Sequence, residues 1–317
     1  MSTIELTGLR ADLPIGAMAA FGVLRIATLA RRIGRCRLSW TEGLGGYYPV
    51  LETKADTGAD ELIALLIESV RDAPDREALK WTEKLKGETP ERFREIENKV
   101  LEKATADFRA DIEWMSAIAN ELIADDDKIE PTPFDMSGGQ QKFPGDAMRL
   151  AALLGRSDRG RKQKGSHEAF REALFGPWLY NDDQHSFGWD PSTVKLGAFT
   201  FKAPTKMANA GVRAAVWLAF ESMPLFPVFA QKRRQRTRAF TQNGRNAVFC
   251  WPIWSPFITL HELECLLASA ALVGSDQRAE RNFKSRGLVA VYRSEKFKPN
   301  KYMVTFRSAE LAYSASG

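Results

Sequence analysis

FGPWLYNDDQHSFGWDP (175–191), QKRRQRTR (231–238) and AVFCWPIW (247–254) mark the stretch, Phe175 to Trp254, around which the chain is organised. Five of the eight tryptophans lie in it: Trp178, Trp189, Trp217, Trp251 and Trp254. Large aromatics next to Gly, Pro, Asn and Asp predict loops held by packing. Arginines near aromatics are also what a nucleic-acid groove requires, with cations for phosphate and flat faces for bases. The competing reading is a rigid tryptophan-rich core edged by a solvated basic loop.

Working outward, residues 3–10 read as a strand. Pro14 opens a helix over Ile15–Ile33, with Gly34 as its stop. CRLSW (36–40) and YYPVLE (47–52) read as two strands around a Glu42–Gly46 turn. The start is therefore β-α-β-β. From Asp56 the texture changes. A helix over 59–72 ends before Pro74, and Thr89 and Pro90 suit an N-cap and first helical position. Apolar residues then recur every three or four positions from Phe93 through Ile96, Val100, Ala104, Phe108, Ile112, Met115 and Ala119 to Leu122. That spacing predicts one helix over 90–123, roughly 50 Å long. Asp125–Asp127 and the prolines at 131 and 133 end it.

Further on, 134–145 reads as a loop, 146–155 as a helix, 155–166 as a basic loop and 167–174 as a helix. Residues 212–222 read as helical, 221–229 as a proline-punctuated loop, and AVFCWPIW as a strand interrupted at Pro252. A helix over 259–272 precedes a closing hairpin of 288–294 and 301–308 around KFKPN (296–300). The expected fold class is α+β: a mixed α/β body carrying an inserted acidic helical segment with one long helix. Its parts are 1–55, the acidic insertion 56–130, and the basic, tryptophan-rich 131–317.

Charge supports that division. The 317 residues hold 45 basic and 40 acidic side chains, net +5. Segment 56–130 holds 11 basic and 21 acidic residues, whereas 131–317 holds 27 basic and 15 acidic. The basic part would attract polyanions. Cys36, Cys250 and Cys265 are far apart and form no C-x-x-C pair, which argues against a zinc knuckle or disulfide framework. A reducing, cytoplasmic setting follows. The apolar run Ile15–Leu29 is interrupted by Arg25 and is too short for a membrane span, so no membrane partner is expected.

Three basic clusters carry the strongest functional signal: Arg156, Arg159, Arg161, Lys162 and Lys164; Lys232, Arg233, Arg234, Arg236 and Arg238; and Lys296, Lys298 and Lys301. Each falls on a predicted loop or hairpin tip, and arginine's forked donors suit phosphate oxygens. Ser137–Gln141 is similar to the signature loop of ATP-binding-cassette ATPases, but no partner P-loop exists. Its glycines permit close backbone approach and Gln140 and Gln141 offer amide contacts, while a tight structural turn is the alternative. Asp182, Asp183, His185 and Asp190 form the one oxygen/nitrogen cluster that a metal-dependent nuclease could use; Asp and Asn in such loops otherwise form turns. No G-x-S-x-G elbow appears. A non-catalytic binding module without metal or other cofactor is the expectation, with the nuclease and a protein–protein scaffold as alternatives.

The opening ELTGLRADLPIGAMAAFGVLRI (5–26) resembles the start of proteins from type I CRISPR–Cas operons, of the subtype called G, formerly U. GWDPS (188–192), WLAFESMPLFP (217–227) and FCWPIW (249–254) look like further pieces of that pattern. The likeness touches about a third of the chain and carries no active-site residues. It implies a non-catalytic, large-subunit-like component of a crRNA-guided surveillance complex. Its partners would be crRNA or target DNA and the other subunits, with guide pairing reading sequence and protein loops holding strands. The chain is short for a full large subunit and shows no HD phosphohydrolase or helicase motif.

Overall fold

The computed structural model describes residues 1–54, 56–81, 84–103, 109–125, 128–138, 141–155, 165–193, 210–231, 234–244, 246–274, 277–300 and 303–315. The fold is mixed α+β. The β-α-β-β start is present: β1 (Ser2–Glu5), α1 (Pro14–Ala30), β2 (Cys36–Gly43) and β3 (Gly46–Thr53). The strands form an antiparallel sheet in the order β1-β3-β2. Helix α1 is apolar almost all round, and Pro14 through Ala27 are buried without a break, as a central core helix should be. It ends at Ala30, earlier than Gly34 suggested, because Arg31 takes the left-handed conformation (φ 54°) and Gly34 serves the following turn.

The acidic segment contributes α2 (Ala59–Asp72), α3 (Pro90–Glu102) and α4 (Arg109–Ile118), then β4 (Ala119–Asp125) and β5 (Lys128–Pro131). The long helix expected over 90–123 is therefore not formed. Arg94 and Glu121 make an ion pair at 2.9 Å, whereas 27 residues of helix would separate them by roughly 40 Å. Residues 119–125 pair with β5, so strand pairing overrides the helical period. The apolar stripe still reaches the core, because Phe93, Ile96, Val100 and Met115 are all buried. Residues from 1–55, 56–130 and 131–317 join one continuous apolar cluster.

Helices α5 (Gly145–Leu154), α6 (Ser166–Phe175) and α7 (Arg213–Glu221) follow, then the two-stranded hairpin of β6 (Val228–Gln231) and β7 (Arg234–Thr237). The main sheet is built from β8 (Phe240–Asn243), β9 (Asn246–Trp254), β10 (Leu288–Asn300), β11 (Met303–Phe306) and β12 (Glu310–Ser314). Helices α8 (Leu260–Leu267), α9 (Ala270–Val273) and α10 (Gln277–Ser285) connect β9 to β10. The expected 259–272 helix is split at Ala268–Ser269.

Two strand expectations need correction. Pro252 does not interrupt β9: it pairs with Val291 of β10 and lies beyond the end of the β8 pairing, so its missing N–H removes no ladder bond on that side. KFKPN is not a hairpin tip either. It is the outer half of β10, whose Lys296 and Phe297 pair with Phe306 and Thr305.

The tryptophans are structural. Trp189, Trp217, Trp251 and Trp254 are fully buried. Three of their indole N–H groups tie distant segments together, donating to Phe134 O, Ala11 O and Leu38 O at 3.0, 2.8 and 2.8 Å. No helix among the described residues is long and apolar enough to cross a membrane.

Helices α1 and α7 cross at backbone contact. A Cβ on Gly22 would stand 1.8 Å from Leu218 O. Replacing Gly22 by Ala should therefore lower stability by roughly 3 kcal/mol, despite alanine's better helix propensity. The measurement is the urea-unfolding midpoint; an unchanged midpoint would mean that the helices do not meet this closely.

Candidate nucleic-acid interface

The basic clusters at 232–238 and 296–301 are about sixty residues apart in sequence, yet the structure brings residues of both to one groove of about 350 Å³. Pro131 and Pro133 form one side, β7 and the start of β8 another, and Lys296–Lys298 of β10 the third. Arg236 and Lys298 both line it, as do Gln235, Thr237 and Phe240. One carboxylate, Glu130, lies on its rim with them.

Gln231 and Arg234–Thr237 are not loop, as expected, but paired strands, with Gln231 opposite Arg234 and Phe229 opposite Arg236. Alternation gives their side chains different environments. Thr237 is buried, Arg236 partly exposed and Arg234 exposed. Phe229, 45% exposed, is an aromatic beside the cations that the sequence reading did not single out.

The cations divide into two kinds. Arg238 is held by the chain: its guanidinium donates to Leu225 O at 3.2 Å, and burial lowers its pKa from the ordinary arginine value. Lys296, which also lines the groove, is likewise engaged. Its ammonium donates to Pro133 O at 2.9 Å and Asp135 O at 3.2 Å. Desolvation pushes its pKa down to about 8, against the attraction of Asp135. Burial also raises the Asp135 pKa. Lys296 thus fastens the Pro133–Asp135 turn to β10 and fixes the proline wall of the groove. Arg234, Arg236 and Lys298 remain on the surface.

Other expected contacts fall elsewhere. Gln141 closes its own turn: its N–H donates to Gly138 O at 3.1 Å and its Oε1 accepts from Gly138 N at 3.0 Å. Gln140, Arg156, Arg159, Arg161, Lys162, Lys164, Lys232, Arg233 and Lys301 lie outside the described residues.

Three members of the Asp/His cluster accept hydrogen bonds from backbone N–H groups. Asp182 Oδ2 accepts from Arg213 N at 3.0 Å, at the start of α7. His185 Nδ1 accepts from Phe187 N at 2.8 Å. Asp190 Oδ1 accepts from Ser192 N at 2.9 Å, and desolvation raises its pKa. Among the described residues no three His, Cys, Asp or Glu side chains are grouped to share a metal ion.

The Lys296 geometry predicts a pH effect of definite sign. The folded pKa, about 8, lies below the ordinary 10.5. Between these values the unfolded chain binds more protons, so this group makes stability rise as pH increases. The difference in urea midpoint between wild type and Lys296→Met should shift in favour of wild type from pH 7.5 to 9.5. A difference independent of pH would mean that the ammonium is not desolvated. Neither models of known protein families nor the curated proteins include a match to this chain.

Proposed function

We propose that the chain is a non-catalytic nucleic-acid-binding subunit that grips the phosphates of a single strand along the groove between β7 and β10. The observation that carries this reading is the convergence of Arg236 and Lys298, from separate basic runs, on one groove with Arg234 beside it. Arginine forks and a lysine point charge suit successive phosphates. The half-buried Phe240, which lines the groove, supplies apolar surface for a base. A groove of about 350 Å³ suits one nucleotide unit rather than a duplex.

The resemblance of 5–26 to type I CRISPR–Cas operon proteins supports a cytoplasmic place for this binding within a crRNA-guided surveillance complex, on crRNA or target DNA and beside other subunits. The resembling segments meet in the core. Gly22 of the opening stretch touches α7 of WLAFESMPLFP, and Phe21 stacks on Trp254 of FCWPIW with ring centres 5.9 Å apart. The shared pattern is thus a packing pattern, consistent with a role in scaffolding rather than chemistry. Asp182, His185 and Asp190 are each engaged by a backbone N–H, which supports binding without catalysis.

The test is fluorescence anisotropy with labelled single strands over a salt series. Replacing Arg234, Arg236 and Lys298 together by Ala should weaken binding about tenfold or more and flatten the log K against log salt slope by about two units. An unchanged affinity and slope would overturn the proposal.

A further inference from the structure

We infer that the strand held in the groove continues across the outer face of β6 and β7, where one base stacks on Phe229 and the phosphates on either side of it meet Arg236 and Arg234. This rests on the groove being a single-strand site and adds a further nucleotide position to it. Directly opposite residues of an antiparallel pair share a face. Phe229 stands opposite Arg236 and Gln231 opposite Arg234, so these four residues form one face of the two strands. Val228 and Thr237, paired on the other face, are buried. Arg236 also lines the groove, which joins the outer face to it.

Among the described residues Phe229 is the one phenylalanine or tryptophan that is exposed; the others are buried or half-buried. The two arginines bracket it, Arg236 directly opposite and Arg234 one diagonal step along, a separation that long side chains span. Neither guanidinium forms a hydrogen bond or ion pair with a described residue, unlike that of Arg238, which donates to Leu225 O. No Asp or Glu occurs between Glu221 and Glu262, so the two strands carry no acid of their own to satisfy these cations. Unpaired cations without a neighbouring carboxylate on their strands suit a polyanion. A flat ring set between them suits one whose phosphates alternate with bases. Arg234 and Arg236 are about 6.7 Å apart along an extended strand, the order of the spacing between successive phosphates. Every base has a π-face, so stacking on Phe229 is open to all of them.

The platform is fixed before a strand arrives. Strand β6 packs on α4 and β4, and β7 also meets β4. Gln235 Nε2 donates to Pro131 O at 2.8 Å, and Arg238, next after β7, donates from its backbone N–H to Pro227 O at 3.2 Å. Binding therefore has only side chains of the outer face to order, which keeps the opposing entropy small.

The experiment measures binding to the full chain by fluorescence anisotropy, with a labelled single strand of mixed sequence and with an abasic strand of the same length. Phe229→Leu keeps apolar bulk and removes the flat face. It should weaken binding to the mixed strand about fivefold or more and leave the slope of log K against log salt as in wild type. Phe229→Trp should bind that strand at least as well as wild type. On the abasic strand wild type and Phe229→Leu should bind alike, because only the phosphates remain to be held. A loss that persists on the abasic strand overturns the inference, since Phe229 would then act through the fold. Unchanged affinity of Phe229→Leu for the mixed strand, with steep salt dependence, also overturns it but leaves the phosphate grip standing. If self-association read by sedimentation changes in that variant while its affinity does not, the face belongs to a second copy of the chain and the inference falls. No binding to any strand removes both readings.

Discussion

The fold depends on the crossing of α1 and α7. Gly22 lets the two backbones touch, and one turn along, Arg25 reaches the carboxylate of Glu221 at 3.2 Å. Glu221 is fully buried and also accepts from Arg76 at 2.6 Å. Both guanidinium groups lie 5.7 Å from the ring centre of Trp114. One carboxylate therefore joins α1, α7, the segment after α2, and α4. A buried charge of this kind is tolerable only while its partners are present, since removing any one leaves an uncompensated ion in a poorly solvated site. Desolvation lowers the Arg25 pKa even with Glu221 beside it. The acidic segment is thus fastened to the body by a polar contact that demands geometry, in addition to apolar burial.

A second rigid region lies beneath the groove. Phe134 packs against Trp189, Phe226, Phe240, Phe249 and Phe306, with ring centres 4.9 to 6.3 Å apart. Edge-to-face packing of this density fixes ring positions. Because Phe134 lies between Pro133 and Asp135, the two carbonyl groups that Lys296 holds, the aromatic lattice also sets the wall of the groove. Two lysines of one strand consequently have different roles. Lys296 is half-buried and binds backbone, and Lys298, two residues along β10, is exposed. The residues suited to recognition project from β-strands anchored on this packed floor, an arrangement that holds side chains more precisely than a loop would.

Much of the architecture was legible in the sequence because it rests on local pattern. The opening β-α-β-β unit, the start of α3 at Thr89–Pro90 and the helices α5 to α7 follow from periodicity, proline and capping residues. The failures are where long-range pairing decides. Residues 119–125 continue a helical period but become a strand because β5 lies beside them. Pro252 looks like a strand break, yet β9 continues through it because the neighbouring strand has already ended. The KFKPN segment reads as a turn by composition, but its Lys296, Phe297 and Asn300 pair with β11.

The sequence by itself determined that 131–317 is basic, that the tryptophan-rich stretch is packed, and that cations cluster in short runs. Those are properties of composition and near neighbours. Only the tertiary structure decided which cations face outward and which pockets they share. Arg236 and Lys298 meet because β7 and β10 converge on the turn at Pro133, a relation between residues about sixty apart that no local pattern encodes. Lys296 and Arg238 are tied to the chain for the same reason, since backbone carbonyls brought close by folding accept hydrogen bonds from them.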